Sequence, residues 1–131
     1  MRLLFLMILA HIIDDFVIQT QCLSNLKQRE WWIEQCKKKN IDIEQYQNDY
    51  KVGLFIHALS WSLMIHLPFI LLTNISDIIL LISVIINTFI HLITDDLKAN
   101  ANVLNLQQDQ IIHFTQIIFT FLIFKNIALY V

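Results

Sequence analysis

Histidine and aspartate recur in this chain at one spacing. His11 and Asp15, His91 and Asp95, and in reversed order Asp109 and His113 are each four residues apart. On a helix, residues i and i+4 share a face, so each pair presents an imidazole and a carboxylate in the same direction. A further histidine, His57, stands in the apolar segment "LFIHALS". Neutral imidazole and carboxylate together suit Zn²⁺, Mn²⁺ or Fe²⁺, and neither Cys22 nor Cys36 has a spacing that suggests a thiolate site. The candidate ligands are therefore His11, Asp15, His57, His91, Asp95, Asp109 and His113. They exceed the needs of one ion, so the pattern predicts one or two ions, with spare carboxylates orienting the imidazoles. The competing expectation is a buried hydrogen-bond or proton-relay network without metal. Asp15 and Asp95 are candidate general bases. Lys98 is a candidate contact for an anionic group, or else a charged anchor at a helix end. The sequence has no Gly-rich phosphate loop, nucleophile elbow or His-Glu-x-x-His motif.

These polar residues lie in strongly apolar surroundings. Of 131 residues, 56% are hydrophobic and 15% charged, against about 45–50% and about 25% in ordinary soluble domains. Mean hydropathy is +0.58. Residues 19–51 carry 11 of the 20 charged side chains. With a net charge of −2 and no basic stripe, nothing points to nucleic acid. The pattern predicts a single all-α integral membrane domain over residues 1–131. Four spanning helices are expected at about 2–19, 51–73, 74–97 and 109–131, each near the ~20 residues that cross a bilayer. The opening "MRLLFLMILA" has the look of a signal peptide. His11, Asp14 and Asp15 follow it instead of a small-residue cleavage site, so a retained helix is expected.

Residues 20–50 form the long connection, read as an interfacial loop with an amphipathic helix (Leu23, Leu26, Ile33, Cys36) and a headgroup-level pair, Trp31 and Trp32. A substrate-gating lid is the sharper alternative. Lys27, Arg29, Lys37, Lys38, Lys39, Lys51 and Lys98, seven of the nine basic residues, fall on the loop face. The positive-inside rule therefore predicts a cell-membrane protein with the 20–50 loop cytoplasmic and both termini outside. Measured from the loop-face ends of the spans, His11, His57, His91 and His113 lie roughly 6–12 Å deep at about 1.5 Å per residue. All four imidazoles should share one slab beneath a shallower carboxylate layer. His66, toward the opposite face, reads as a hydrogen-bonded core histidine, and Asp14 and Asp96 as headgroup-level helix-end charges.

In order and register these residues resemble a bacterial and phage membrane family catalogued as domain-of-unknown-function family 3307. The matching segments are "HIIDDFVIQ" (His11, Asp15, Phe16, Gln19), His57 in the second span, "HLITDDLK" (His91, Asp95, Lys98) and "DQIIH" (Asp109, Gln110, His113). Relatives often carry a second histidine four positions after the first in the second span, where this chain has Trp61. The resemblance strengthens the site and implies no reaction.

Three functions fit. A metal-dependent hydrolase at the cytoplasmic membrane interface would act on a membrane-derived or anionic small substrate. A transporter or channel for an ion or small solute would need a homo-oligomer, since one four-helix layer is thin for transport. A non-catalytic membrane adaptor would use the polar cluster as structural glue.

Overall fold

The computed structural model describes residues 1–128 and is all-helical, with no strand among the described residues. Helix α1 covers Arg2–Ile13 and runs into a π-helical turn over Asp14–Ile18. Three short helices follow: α2 (Gln21–Leu26), α3 (Arg29–Lys39) and α4 (Ile43–Tyr46). Three 23-residue helices complete the chain: α5 (Tyr50–Leu72), α6 (Asp77–Ala99) and α7 (Leu106–Ala128). α5 packs on α1 and α6, and α7 packs on α6 and α1, closing a four-membered ring. Hydrogen bonds cross all four seams, from Trp61 to His11, Ser62 to Val84, Asn87 to Thr120, and between His11 and Gln110.

Three helical segments are long and apolar enough to cross a membrane: Ile43–Leu72, Asp77–Ala99 and Leu106–Ile127. The first expected span is helical over Arg2–Ile18, roughly 25 Å at about 1.5 Å per residue, and so falls short of that group. The bundle is polar within and apolar without. His11, His57, His66, His91 and His113 are fully buried, whereas Phe5, Ile78, Ile82, Ile85, Phe89 and Phe119 are exposed. Water disfavours so much contiguous exposed apolar surface, and a bilayer does not. The β-branched runs form helix because each residue's backbone groups are then satisfied within its own segment. α5 continues unbroken through Pro68. At the end of the bundle away from the histidine cluster, Met7, Ile65, Phe69, Ile117, Phe121 and Phe124 form an apolar core.

The long connection differs from the single amphipathic helix expected, because local caps divide it. Thr20 Oγ1 accepts from Leu23 N at 3.3 Å and opens α2. Asn40, at φ 53°, ends α3 in the left-handed conformation that asparagine tolerates. Asp42 accepts from Glu44 N at 3.0 Å and opens α4. Trp32 braces this connection. Its indole N–H donates to Leu26 O at 2.9 Å, and its ring stacks on Tyr46.

The junction of α2 and α3 is pressed against α5 at Gly53, the chain's one glycine. A Cβ there would lie 2.7 Å from Leu26 O and 3.0 Å from Lys27 N. Glycine in a helix interior costs about 1 kcal/mol relative to alanine, and here it permits the close approach of two backbones. Asn100 completes the attachment, donating to Lys27 O at 3.1 Å and accepting from Arg29 N at 2.7 Å. This strap carries Lys27 into the bundle.

Candidate metal centre

The four histidines expected to share one depth do meet. Ring centroids of His91 and His113 lie 4.1 Å apart, those of His57 and His91 5.1 Å, and those of His11 and His113 5.9 Å. Each comes from a different helix of the ring, and none is more than 1% exposed. Asp95, four residues after His91, reaches the centre of the group. Its Oδ1 lies 3.6 Å from His91 Nε2 and 3.5 Å from His113 Nε2, and its Oδ2 lies 3.4 Å from His57 Nε2. Asp15 Oδ1 lies 3.6 Å from the same His57 nitrogen.

Two ligand sets arise, Asp15 with His57 and His91, and His91 with Asp95 and His113. Within each, one ligand atom per residue lies within 4.8 Å of every other. These buried groups are geometrically able to hold a metal ion. Both nitrogens of His91, and Oδ1 of Asp15, are buried without a hydrogen-bond partner. Buried polar atoms are normally satisfied. Unsatisfied nitrogen and oxygen atoms gathered in one buried cluster are able to take a cation.

His11 and Asp109 join the cluster, His11 with both ring nitrogens engaged and Asp109 with Oδ2 engaged and Oδ1 turned to His113. Trp61 Nε1 donates to His11 Nδ1 at 2.7 Å, and His11 Nε2 faces Gln110 Oε1 at 3.1 Å. Asp109 Oδ2 accepts from Lys98 Nζ at 2.6 Å and from Gln110 Nε2 at 3.2 Å, while its Oδ1 lies 3.2 Å from His113 Nε2. Asp109 thus faces the same His113 nitrogen as Asp95 does, and Lys98 is its ion-pair partner. His66 is the hydrogen-bonded core residue expected, bonded to Ser62 O and Ser83 Oγ at 2.7 Å each. Asp96 accepts from Asn100 Nδ2 near the end of α6, in keeping with a helix-end role.

Asp14 requires a correction. It is not a headgroup-level charge but is 1% exposed. It accepts from Ser60 Oγ at 2.7 Å and lies 3.8 Å from His57 Nδ1. The π turn, closed by the bond from Gln19 N to Asp14 O at 2.9 Å, explains this. A wider turn brings two consecutive residues nearer to one face than the roughly 100° step of an α-helix allows. Asp14 and Asp15 therefore both face the cluster.

Sequence reasoning also missed Lys27, which it counted only among the basic residues of the loop face. Lys27 is 7% exposed, and its Nζ donates to Asp95 Oδ2 at 2.6 Å across 68 residues of sequence. The nearby glycine was the only signal available for it. Trp61, noted only as a departure from a motif, is fully buried and stacks on His91 with centroids 4.3 Å apart. No protein family model, curated protein or solved structure matches this chain.

Proposed function

We propose that this protein is a metal-dependent hydrolase of the cell membrane, acting where the His/Asp cluster meets the loop face. One observation carries the reading. His91, Asp95 and His113 form a set whose ligand atoms all lie within 4.8 Å of one another. Asp95 Oδ1 lies 3.6 and 3.5 Å from Nε2 of His91 and His113, and its Oδ2 lies 3.4 Å from Nε2 of His57. At metal–ligand distances of about 2.0–2.1 Å, the edges of a tetrahedron are about 3.3–3.4 Å long. That spacing is long for a hydrogen bond and close to the spacing of ligands around Zn²⁺. A divalent ion bound there supplies Lewis acidity for hydrolysis.

The chain's own residues divide the remaining work. Asp15, held by Gln110 Nε2 at 3.2 Å and with Oδ1 free of hydrogen bonds, is placed to accept a proton from water. Asp95 is assigned as a ligand rather than a base, because it lies between three imidazoles. Lys98 is assigned to Asp109. The substrate class proposed is a membrane-derived or otherwise anionic small molecule reaching the cluster from the loop face. Membership in domain-of-unknown-function family 3307 belongs to the same proposal, supported by four short motifs whose histidines and aspartates gather at one site. Four spans are proposed too, with Arg2–Ile18 as the short one, because it lines the same cluster as the three long helices.

A second reading, an oligomeric carrier, draws support from buried polar residues continuing past the cluster. Asn87 bonds Thr120 and Gln116 at 3.0 and 3.2 Å. Ile65, Phe69 and Phe124 close the interior beyond them, which favours the hydrolase.

The test is elemental analysis of protein purified in detergent without added metal, alongside hydrolysis of anionic phospholipid by the same preparation. A stoichiometric divalent ion is expected, lost from His91→Ala and retained by His66→Ala, with hydrolysis abolished by chelation. A metal-free wild-type protein that cannot be loaded with Zn²⁺ or Mn²⁺ overturns the reading.

Topology has its own test. Seven basic residues lie on the loop face, so that face is proposed to be cytoplasmic. Cys22, in the loop, is exposed, whereas Cys36 is buried. A membrane-impermeant thiol reagent is expected to leave Cys22 unlabelled in intact cells and to label it after lysis. Strong labelling before lysis reverses the orientation.

A further inference from the structure

Lys27 sits where a cation is wanted but at a place where a metal ligand would be expected to be free. Its ammonium contacts Asp95 Oδ2, an oxygen that also faces His57 Nε2 at 3.4 Å. The Lys27 side chain is 9% exposed and that of Asp95 3%. Its backbone cannot easily withdraw. Gly53 seats Leu26 and Lys27 against α5, Asn100 binds Lys27 O and Arg29 N, and Trp32 binds Leu26 O. Only the flexible side chain is free to move.

Charge gives this placement its consequence. Asp14, Asp15, Asp95 and Asp109 bring four carboxylates into the cluster, with side chains at most 8% exposed. Lys27 and Lys98 bring two ammonium groups. With the imidazoles in the neutral form that ligates a metal, two negative charges remain, and one divalent ion cancels them. A second ion would leave the interior with two uncancelled positive charges, which a low-dielectric site disfavours. Lys98 is 32% exposed and therefore partly screened by its surroundings, whereas Lys27 is not. The repulsion felt by an incoming ion thus comes mainly from Lys27.

We propose that Lys27 is a built-in rival of the divalent ion for Asp95, limiting the cluster to one ion and weakening the affinity for it. This rests on the metal-site reading above. A divalent ion that takes Asp95 displaces the ammonium toward the loop-side mouth of the cluster, where it faces an arriving anionic group. Lys27 is here a positioning residue acting through Asp95.

The experiment is Zn²⁺ binding at one fixed pH to the full chain in detergent, by competition with a chromogenic chelator, with stoichiometry from elemental analysis. Wild type is expected to bind one Zn²⁺ per chain. Lys27→Met, which keeps the side-chain length and removes the charge, is expected to bind Zn²⁺ at least tenfold more tightly. Lys27→Arg, which keeps the charge, should stay within about threefold of wild type. If Lys27→Met does not fold, Asn100→Ala serves instead, since it loosens the strap without changing the cluster's charge. It is expected to bind Zn²⁺ several-fold more tightly. Unchanged or weaker binding in the variant, or two ions in wild type, overturns the proposal and leaves the metal site standing. No binding by wild type overturns both.

Discussion

Asp95→Ala is expected to abolish stoichiometric metal and to destabilise the protein by about 3–5 kcal/mol, the cost of leaving a buried charge without its partner. The two losses share one cause. Asp95 is the only carboxylate among the described residues within 4 Å of three cluster imidazoles, and it also accepts from buried Lys27 at 2.6 Å. Its removal takes a ligand from the ion and leaves an ammonium facing three imidazoles. Chemical denaturation in detergent and elemental analysis of the same preparation check both effects. The double variant Asp95→Ala, Lys27→Met should recover much of the stability while staying metal-free, because neither half of the ion pair remains unpaired. Metal retained in Asp95→Ala would move the site to Asp15, His57 and His91.

Trp61→Ala is expected to cost about 3–5 kcal/mol, as for other large aromatic truncations in cores. The indole is fully buried, stacks on His91 at 22° between planes and lies 5.4 Å from His113. It also donates the hydrogen bond that holds His11 Nδ1. Trp61→Phe separates these contributions. It keeps most of the stacking and removes the donor, so a loss of about 1–2 kcal/mol is expected. A phenylalanine variant as unstable as the alanine one would mean that the bond to His11, rather than packing, holds this wall of the cluster. Equilibrium unfolding of the three proteins in one detergent distinguishes the outcomes.

The sequence by itself determined the long helices and most of the histidines and carboxylates that gather in the cluster. A spacing of four is a local property, so His91 with Asp95 and Asp109 with His113 are legible wherever a helix is certain. Matched depth is legible as well, because helix rise is constant and hydrophobic length sets where each long helix crosses. His66 could be set apart from His57 on that basis alone.

What only the tertiary structure decided lies in contacts that no local rule encodes. Lys27 looks like one more loop cation until Gly53 and Asn100, 26 and 73 residues away in sequence, draw the strap into the bundle. Asp14 looks like a helix-end charge until the π turn swings it toward Ser60 and His57. His11 and Asp109 have the same residue types as the other candidates. Trp61 and Gln110 nevertheless occupy both nitrogens of His11, and Lys98 one oxygen of Asp109, because packing of four helices fixes which groups come within hydrogen-bond reach. Residue type and spacing specify what a side chain is able to do, and the identity of its neighbours, set by burial and close packing, specifies what it does.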